Sequence, residues 1–147
     1  MIFTTDELAR EGGFNGTAGF RCEIAKHQLP LRPHAKVNGS NRYSATDYAI
    51  AIVIGRLRNW GGQKMAVPAA GRLTELIDRD ALEAAIAQFE AGEVAEVIVG
   101  IPAWGNALED FSCVFTSHEA AVAALAETDL ILVNVGEVLQ AKFGGLF

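Results

Sequence analysis

The sequence contains few of the residues that build disulfide-rich or metal-binding proteins. Its 147 residues include two cysteines, Cys22 and Cys113, which lie far apart in the chain. Two cysteines cannot form a disulfide framework, and we expect both to be reduced and buried. His27 and His34 have no partners at the spacing of metal ligands, so the sequence predicts no metal site.

Long apolar runs and targeting segments are also missing. The longest apolar run, Ala49 to Ile54, is far shorter than the roughly 20 residues that cross a bilayer. The chain begins MIFTTDELAR, with acidic residues early and no apolar stretch of signal length. These absences exclude a membrane-spanning segment and predict a soluble, cytoplasmic protein.

The sequence shows no set of residues typical of a catalytic site. Gly100 and Gly105 are not followed by Lys and Ser or Thr, so they do not form a phosphate-binding loop. There is no recognisable Ser-His-Asp order or paired carboxylate, and His118 follows Ser117 at a predicted helix start. We therefore expect neither an enzyme nor a cofactor.

Apolar residues are abundant, and the charge is distributed unevenly. Half of the chain is hydrophobic and 20% is charged, which is enough to form a packed core. Residues 1–64 contain nine Lys or Arg and five Asp or Glu, giving +4, whereas residues 65–147 contain three and thirteen, giving −10. The two values sum to the net charge of −6. The asymmetry predicts two functional parts, the first of which can bind an anion.

The first 30 residues predict two short helices joined by a glycine turn, which is a helix-turn-helix unit. The stretch FTTDELAREGG forms the first helix, with Thr4 or Thr5 as its N-terminal cap. TAGFRCEIAKHQ forms the second helix, capped by Thr17 or Asn15.

A basic hairpin and a third helix follow. Asn38-Gly39 is a typical hairpin turn and predicts two short strands within residues 35–43. Ser44 caps the third helix, which we place at about residues 45–60, and Asp47 occupies the capping-box position. The apolar residues of this helix cover more than one stripe, so a second face should be buried.

This order resembles the N-terminal domain of MerR-type regulators, with ELAR in the first helix and RYS leading into the third. GTAGFR, followed by AKHQ, is also similar to the DNA-binding domains of the phage Mu repressor and transposase. The resemblance covers about the first 60 residues. It implies a winged helix-turn-helix domain that binds double-stranded DNA, in a transcriptional regulator of phage or prophage origin.

The predicted architecture assigns DNA contacts to the second helix and the hairpin. With Phe20 and Ile24 buried, Arg21 can reach base edges, where its fork matches guanine. Phosphates are bound by Lys, Arg, Tyr, Asn and Ser side chains. The predicted DNA-binding residues are Thr17, Arg21, Lys26, Arg32, Lys36, Asn41, Arg42 and Tyr43.

Several of these assignments have a plainer alternative. Arg21 and Lys26 equally fit a solvent-exposed surface, and Tyr43 equally fits packing against the third helix. Arg56 and Arg58 are assigned to the solvent-exposed face of that helix rather than to DNA.

Strands alternating with helices over the rest of the chain predict a small α/β layer. Asp78 or Asp80 and Ser117 are the expected helix caps. The predicted helices cover residues 78–92, 117–127 and 136–143, and the predicted strands cover residues 94–102, 109–115 and 129–135.

The sequence as a whole predicts an α+β protein. Residues 1–62 form the winged helix-turn-helix domain, and residues 63–147 form an acidic α/β domain for dimerisation, effector binding or partner binding. A homodimer is expected because one short recognition helix covers only a few base pairs. One alternative is a protein-interaction module that docks a partner through its acidic half. The other is a small enzyme with its site near Trp104 and His118, and the basic clustering in the first half favours DNA binding over both.

Overall fold

A computed structural model of the chain describes residues 2–26, 29–59, 65–102, 114–127 and 129–143. The chain divides into two compact units, Met1–Glu75 and Leu76–Phe147. Each unit combines helices with a three-stranded antiparallel sheet, so the predicted α+β class is confirmed. No helix in the described ranges is long and apolar enough to cross a membrane.

The first unit contains two short helices, a hairpin and two further helices, together with a strand at its start. Its elements are β1 (Ile2–Thr4), α1 (Thr5–Glu11), α2 (Thr17–Ala25), β2 (Ala35–Val37), β3 (Ser40–Ser44), α3 (Ala45–Arg58) and α4 (Val67–Glu75). The strands pair in the order β1-β3-β2. β1 and α4 were not predicted. Because α4 packs on α3, the first unit extends past residue 62.

Two of its helices begin directly at the end of a strand. The Glu7 backbone N–H donates to Thr4 Oγ1 at 3.2 Å, and Glu7 Oε2 accepts from the Thr4 N–H at 2.7 Å. Ser44 Oγ likewise accepts from the Asp47 N–H at 3.3 Å. Caps at Thr4 and Ser44 are therefore confirmed. Because a capping residue keeps an extended backbone, each of them is both the last residue of its strand and the cap of the helix that follows.

α3 is the core of the first unit. Every residue from Ala45 to Gly55 is buried, as is Leu57. α1, α4 and the sheet pack around this helix, so the prediction of a second buried face is confirmed. The helix ends at Arg58, two residues before the predicted end at Trp60, which lies outside the described residues.

The hairpin has the predicted turn. Asn38 and Gly39 both adopt positive φ angles, 51° and 79°, as a two-residue turn between twisted strands requires. On β3, Tyr43 is opposite Phe3 of β1, and both side chains are buried. β1 therefore covers the edge of β3, including Tyr43, which a hairpin of β2 and β3 alone would leave exposed.

The second unit has the predicted helices and strands in the predicted order. Its elements are α5 (Arg79–Glu90), β4 (Ile98–Pro102), β5 (Val114–Phe115), α6 (His118–Leu125), β6 (Leu130–Asn134) and α7 (Val135–Phe143). Asp78 and Ser117 cap α5 and α6 as predicted. The part of the predicted strand before Val114 lies outside the described residues.

The sheet of this unit corrects one prediction. Its order is β5-β4-β6, and both pairings are antiparallel, so the unit is α+β rather than α/β. β5 and β6 run in the same direction on either side of β4, and α6 connects them. The β5-α6-β6 segment thus has the strand-helix-strand order that predicted an α/β layer. Its two strands are not neighbours, however, because β4 lies between them.

Candidate nucleic-acid interface

The hairpin exposes most of the predicted phosphate-binding residues. Arg32 and Lys36 are exposed, and Asn41 and Arg42 are partly exposed. Lys36 is opposite Asn41 in the register. Because side chains alternate along a strand, Lys36 and Asn41 lie on one face of the hairpin and Arg42 lies on the other. The hairpin therefore carries a cation on each face.

Tyr43 does not fit the predicted phosphate contact. Its side chain is 1% exposed, on the face of β3 that packs with Phe3. A phenol buried to this extent is not available to a phosphate. Tyr43 belongs to the core instead, opposite Phe3 of β1. The sequence alone did not indicate this, because the strand that covers Tyr43 was not predicted.

α2 exposes the predicted base-reading residue. Phe20 is buried as predicted, Ile24 is only partly buried although it was predicted to be buried, and Arg21 is exposed. Thr17 is partly exposed as the first helical residue, and Lys26 is exposed just past the last. Of the three contact residues predicted on and beside α2, Arg21 and Lys26 are therefore exposed to solvent.

Two predictions about α2 are wrong. The N-terminal cap is Gly16, which has no side chain to accept a hydrogen bond, and neither Asn15 nor Thr17 occupies that position. Cys22 is exposed rather than buried, because Phe20 is the only fully buried residue of this helix. Cys113 lies outside the described residues.

The first turn of α3 anchors the segment that precedes the hairpin. Asp47 is 1% exposed, and its Oδ1 accepts from the Arg32 backbone N–H at 3.1 Å. Its Oδ2 accepts from Ser44 Oγ at 3.2 Å. Leu29 and Leu31, which precede Arg32 in the chain, are also buried. The segment that leads into the hairpin is thus attached to α3 through the Asp47 carboxylate.

The last turn of α3 holds the turn between α1 and α2. Arg58 Nη1 donates to the carbonyl oxygens of Gly12 and Gly13, at 3.0 and 3.1 Å. The Arg58 guanidinium carbon lies 4.4 Å from the Phe14 ring centroid, and Phe14 meets Phe20 edge-on at 5.2 Å. Arg58 is therefore only partly exposed and makes contacts within the unit, whereas Arg56 is exposed as predicted.

Within the part of the chain that the structure describes, no carboxylate pairs with the basic residues of α2 and the hairpin. None of Arg21, Lys26, Arg32, Lys36 and Arg42 forms an ion pair with another described residue. The Arg42 guanidinium donates to the Asn41 carbonyl oxygen at 3.2 Å, which leaves its other N–H groups available. Their charge is thus available to an external anion.

A buried phenol links α3 to α1 beneath these elements. Tyr48 stacks on Phe3 with ring centroids 4.2 Å apart, and its hydroxyl donates to Glu11 Oε1 at 2.7 Å. Burial, and then the hydrogen bond to the Glu11 carboxylate, raise the pKa of Tyr48 well above its ordinary value of 10.0. The neutral phenol is the form that fits the folded protein.

Alkaline pH should therefore destabilise the first unit through Tyr48. Above about pH 10 the unfolded chain loses the phenolic proton while the folded chain keeps it, so the free energy of unfolding falls as pH rises. We expect Tyr48→Phe to lower stability near neutral pH by about 1 kcal/mol, because a hydrogen bond is lost. Between about pH 8 and pH 11 the variant should lose less stability than the wild type. Urea unfolding across this range tests the difference, and parallel curves would contradict it.

The rival enzyme hypothesis places a site near Trp104 and His118, and only one of these residues lies in the described chain. His118 is exposed as the first residue of α6, and Trp104 lies outside the described residues. In the ranges that the structure covers, no group of three or more His, Cys, Asp or Glu side chains could hold a metal ion.

Comparison of the chain with protein-family models, with curated proteins and with solved structures gives no match. The residues and their geometry are therefore the basis on which a function is proposed for this chain.

Proposed function

We propose that this protein is a sequence-specific, double-stranded-DNA-binding transcriptional regulator. α2 would read bases, and the β2–β3 hairpin would bind phosphates. The observation that carries the proposal is the local charge: residues 12–46 contain five Lys or Arg and a single acidic residue, Glu23. All five cations lie in or beside α2 and the hairpin and are at least partly exposed. Phosphate-binding surfaces have this composition.

The way α3 is built supports the same function. One end of α3 holds the hairpin through Asp47, and the other end holds the α1–α2 turn through Arg58. The two elements that carry the cations are thus attached to one buried helix. A fixed spacing between a base-reading helix and a phosphate-binding hairpin is what sequence-specific binding needs, because phosphate contacts set the register in which bases are read. The resemblance to winged helix-turn-helix domains agrees with this division of roles.

Selection of bound sequences from random duplex DNA, followed by a salt titration on the selected site, tests the proposal. Each phosphate contact should add about −0.9 to the slope of log K against log salt concentration. An enriched sequence motif and a slope that reflects several contacts would support regulation through DNA. A library that stays random after selection would contradict sequence-specific binding.

Arg21→Ala should relax the base preference at one position of the selected site. Loss of a bidentate contact to guanine costs roughly 1–3 kcal/mol of discrimination. Lys26→Ala is the matched control, since it removes the same charge from the end of the same helix. We expect the control to weaken all sequences alike. If Arg21→Ala keeps the full preference of the wild type, Arg21 does not read a base.

For the second unit we propose a role in assembly or partner binding. Residues 76–147 contain twelve Asp or Glu and two Lys or Arg, so this unit has the wrong charge to bind DNA. On α6, Val122 and Leu125 are one turn apart and are 49% and 41% exposed. An exposed apolar pair of this kind fits a protein contact. The homodimer, the effector and the protein partner all stay predictions for this unit.

A further inference from the structure

α2 packs on α1 and buries little of its own surface. Phe20 is its only fully buried side chain, and no side chain caps its first turn. Phe20 meets Phe14, and Phe14 lies under the Arg58 guanidinium. The orientation of α2 therefore depends on the segment from Gly12 to Phe14, which connects it to α1.

Arg58 holds this connecting segment at two points. Its guanidinium donates to the carbonyl oxygens of Gly12 and Gly13 at the end of α1, where the helix dipole favours a cation. The planar group also covers the Phe14 ring at 4.4 Å. A lysine could supply the charge, but it lacks a planar fork that can bind carbonyl oxygens and stack on an aromatic ring together.

We infer that Arg58 is a positioning residue, which fixes the orientation of α2 through the Gly12–Phe14 segment and so sets the affinity for DNA without contacting DNA. The link to DNA affinity rests on the proposed function. The Arg58 guanidinium already binds two carbonyl groups and a ring, whereas the Arg42 guanidinium, which is assigned to phosphate, has one hydrogen bond among the described residues, to the carbonyl oxygen of the adjacent Asn41. Its removal should therefore loosen α2 rather than remove a phosphate contact.

The first test is amide hydrogen exchange in the full chain, with Arg58→Ala compared with Arg56→Ala. Arg56 lies two residues earlier on α3 and is exposed, so both variants lose the same charge from the same helix. We expect exchange in α2 to become about tenfold faster in Arg58→Ala, because local opening of α2 becomes easier, while exchange in α3 stays unchanged. Arg56→Ala should leave both helices as in the wild type.

The second test measures affinity for the selected DNA as a function of salt. Arg58→Ala should weaken binding by about fivefold to tenfold with the salt slope unchanged, since no counterion-releasing contact is lost. Arg58→Lys should lie between Arg58→Ala and the wild type in both tests. If Arg58→Ala does not fold, Arg58→Lys is used in its place. Faster exchange in α2 than in α3 of that variant, each relative to the wild type, would support the inference, and equal changes would contradict it.

Any of three results would overturn the inference. Equal acceleration of exchange in α2 and α3 would mean that Arg58 stabilises the whole unit, and no acceleration would mean that α2 is held by other contacts. A salt slope lower by about one would make Arg58 a phosphate ligand instead. Failure of the wild type to bind any duplex would contradict the proposed function, and the exchange data would still decide whether Arg58 orients α2.

Discussion

Gly55→Ala should destabilise the first unit by at least about 3 kcal/mol, although alanine is the better helix former by about 1 kcal/mol. A Cβ at this position of α3 would overlap the Glu11 carbonyl oxygen and would lie 3.1 Å from the Glu11 carbonyl carbon. Backbone atoms cannot rotate away as a side chain can, so α1 would have to shift. That shift would also strain the bonds from Tyr48 to Glu11 and from Arg58 to Gly12.

The chain provides a matched control in Gly19, which is also helical. A Cβ there would have Phe14 Cδ1, at 4.0 Å, as its nearest neighbour. Gly19→Ala should therefore keep the helix-propensity gain, up to about 1 kcal/mol. Urea unfolding of the full-length variants, followed by circular dichroism, measures both changes. Equal stability of the two variants would show that α3 and α1 are not packed backbone to backbone at Gly55.

Removing the two hairpin cations together should weaken binding to every DNA sequence. We expect the Lys36→Ala/Arg42→Ala double variant to lose about 100-fold in affinity, near 2.7 kcal/mol, and to show a salt slope lower by about two. The ranking of sequences should stay as in the wild type, because phosphate contacts carry no base information. Fluorescence anisotropy with the selected duplex at several salt concentrations gives both quantities.

The comparison variant for this experiment is Arg56→Ala/Arg72→Ala. Both residues are exposed in the same unit, on α3 and α4, and their loss changes the net charge by the same two units. We expect a small loss of affinity, because the electrostatic attraction of the whole unit for DNA is weaker, and little change in the salt slope. If the two double variants lose affinity equally, the first unit attracts DNA by its net charge alone, and the hairpin is not a binding element.

The parts of this fold that the sequence predicted are set by interactions within a few residues. Ser44 and Ser117 cap helices by accepting from the backbone three residues ahead. The Asn38-Gly39 turn needs only its own positive φ angles. Such features depend on local chemistry, so a single sequence is enough to place them.

The parts that were missed depend on residues far away in the chain. β1 is three residues long and exists as a strand because it pairs with β3, so nothing local distinguishes it from a helix start. The burial of Tyr43 follows from that pairing. Arg58 binds the Gly12 carbonyl oxygen across 46 positions. A local signal did exist for α4, since Pro68 at its start is typical of a first helical turn, but the Gly-, Ala- and Pro-rich composition suggested a linker.

β3 passes into α3 at Ser44 without a loop, and this junction restricts where residues can be inserted in the chain. One residue inserted between Tyr43 and Ser44 would rotate α3 by about 100° against the sheet, turning Asp47 away from Arg32 and Tyr48 away from Glu11. Insertion at the Asn38-Gly39 tip has no such effect, because a Cβ at Gly39 meets no atom within 4 Å. Homologous chains can therefore differ in the length of the hairpin, whereas the rotation of α3 about its own axis relative to the sheet must stay the same.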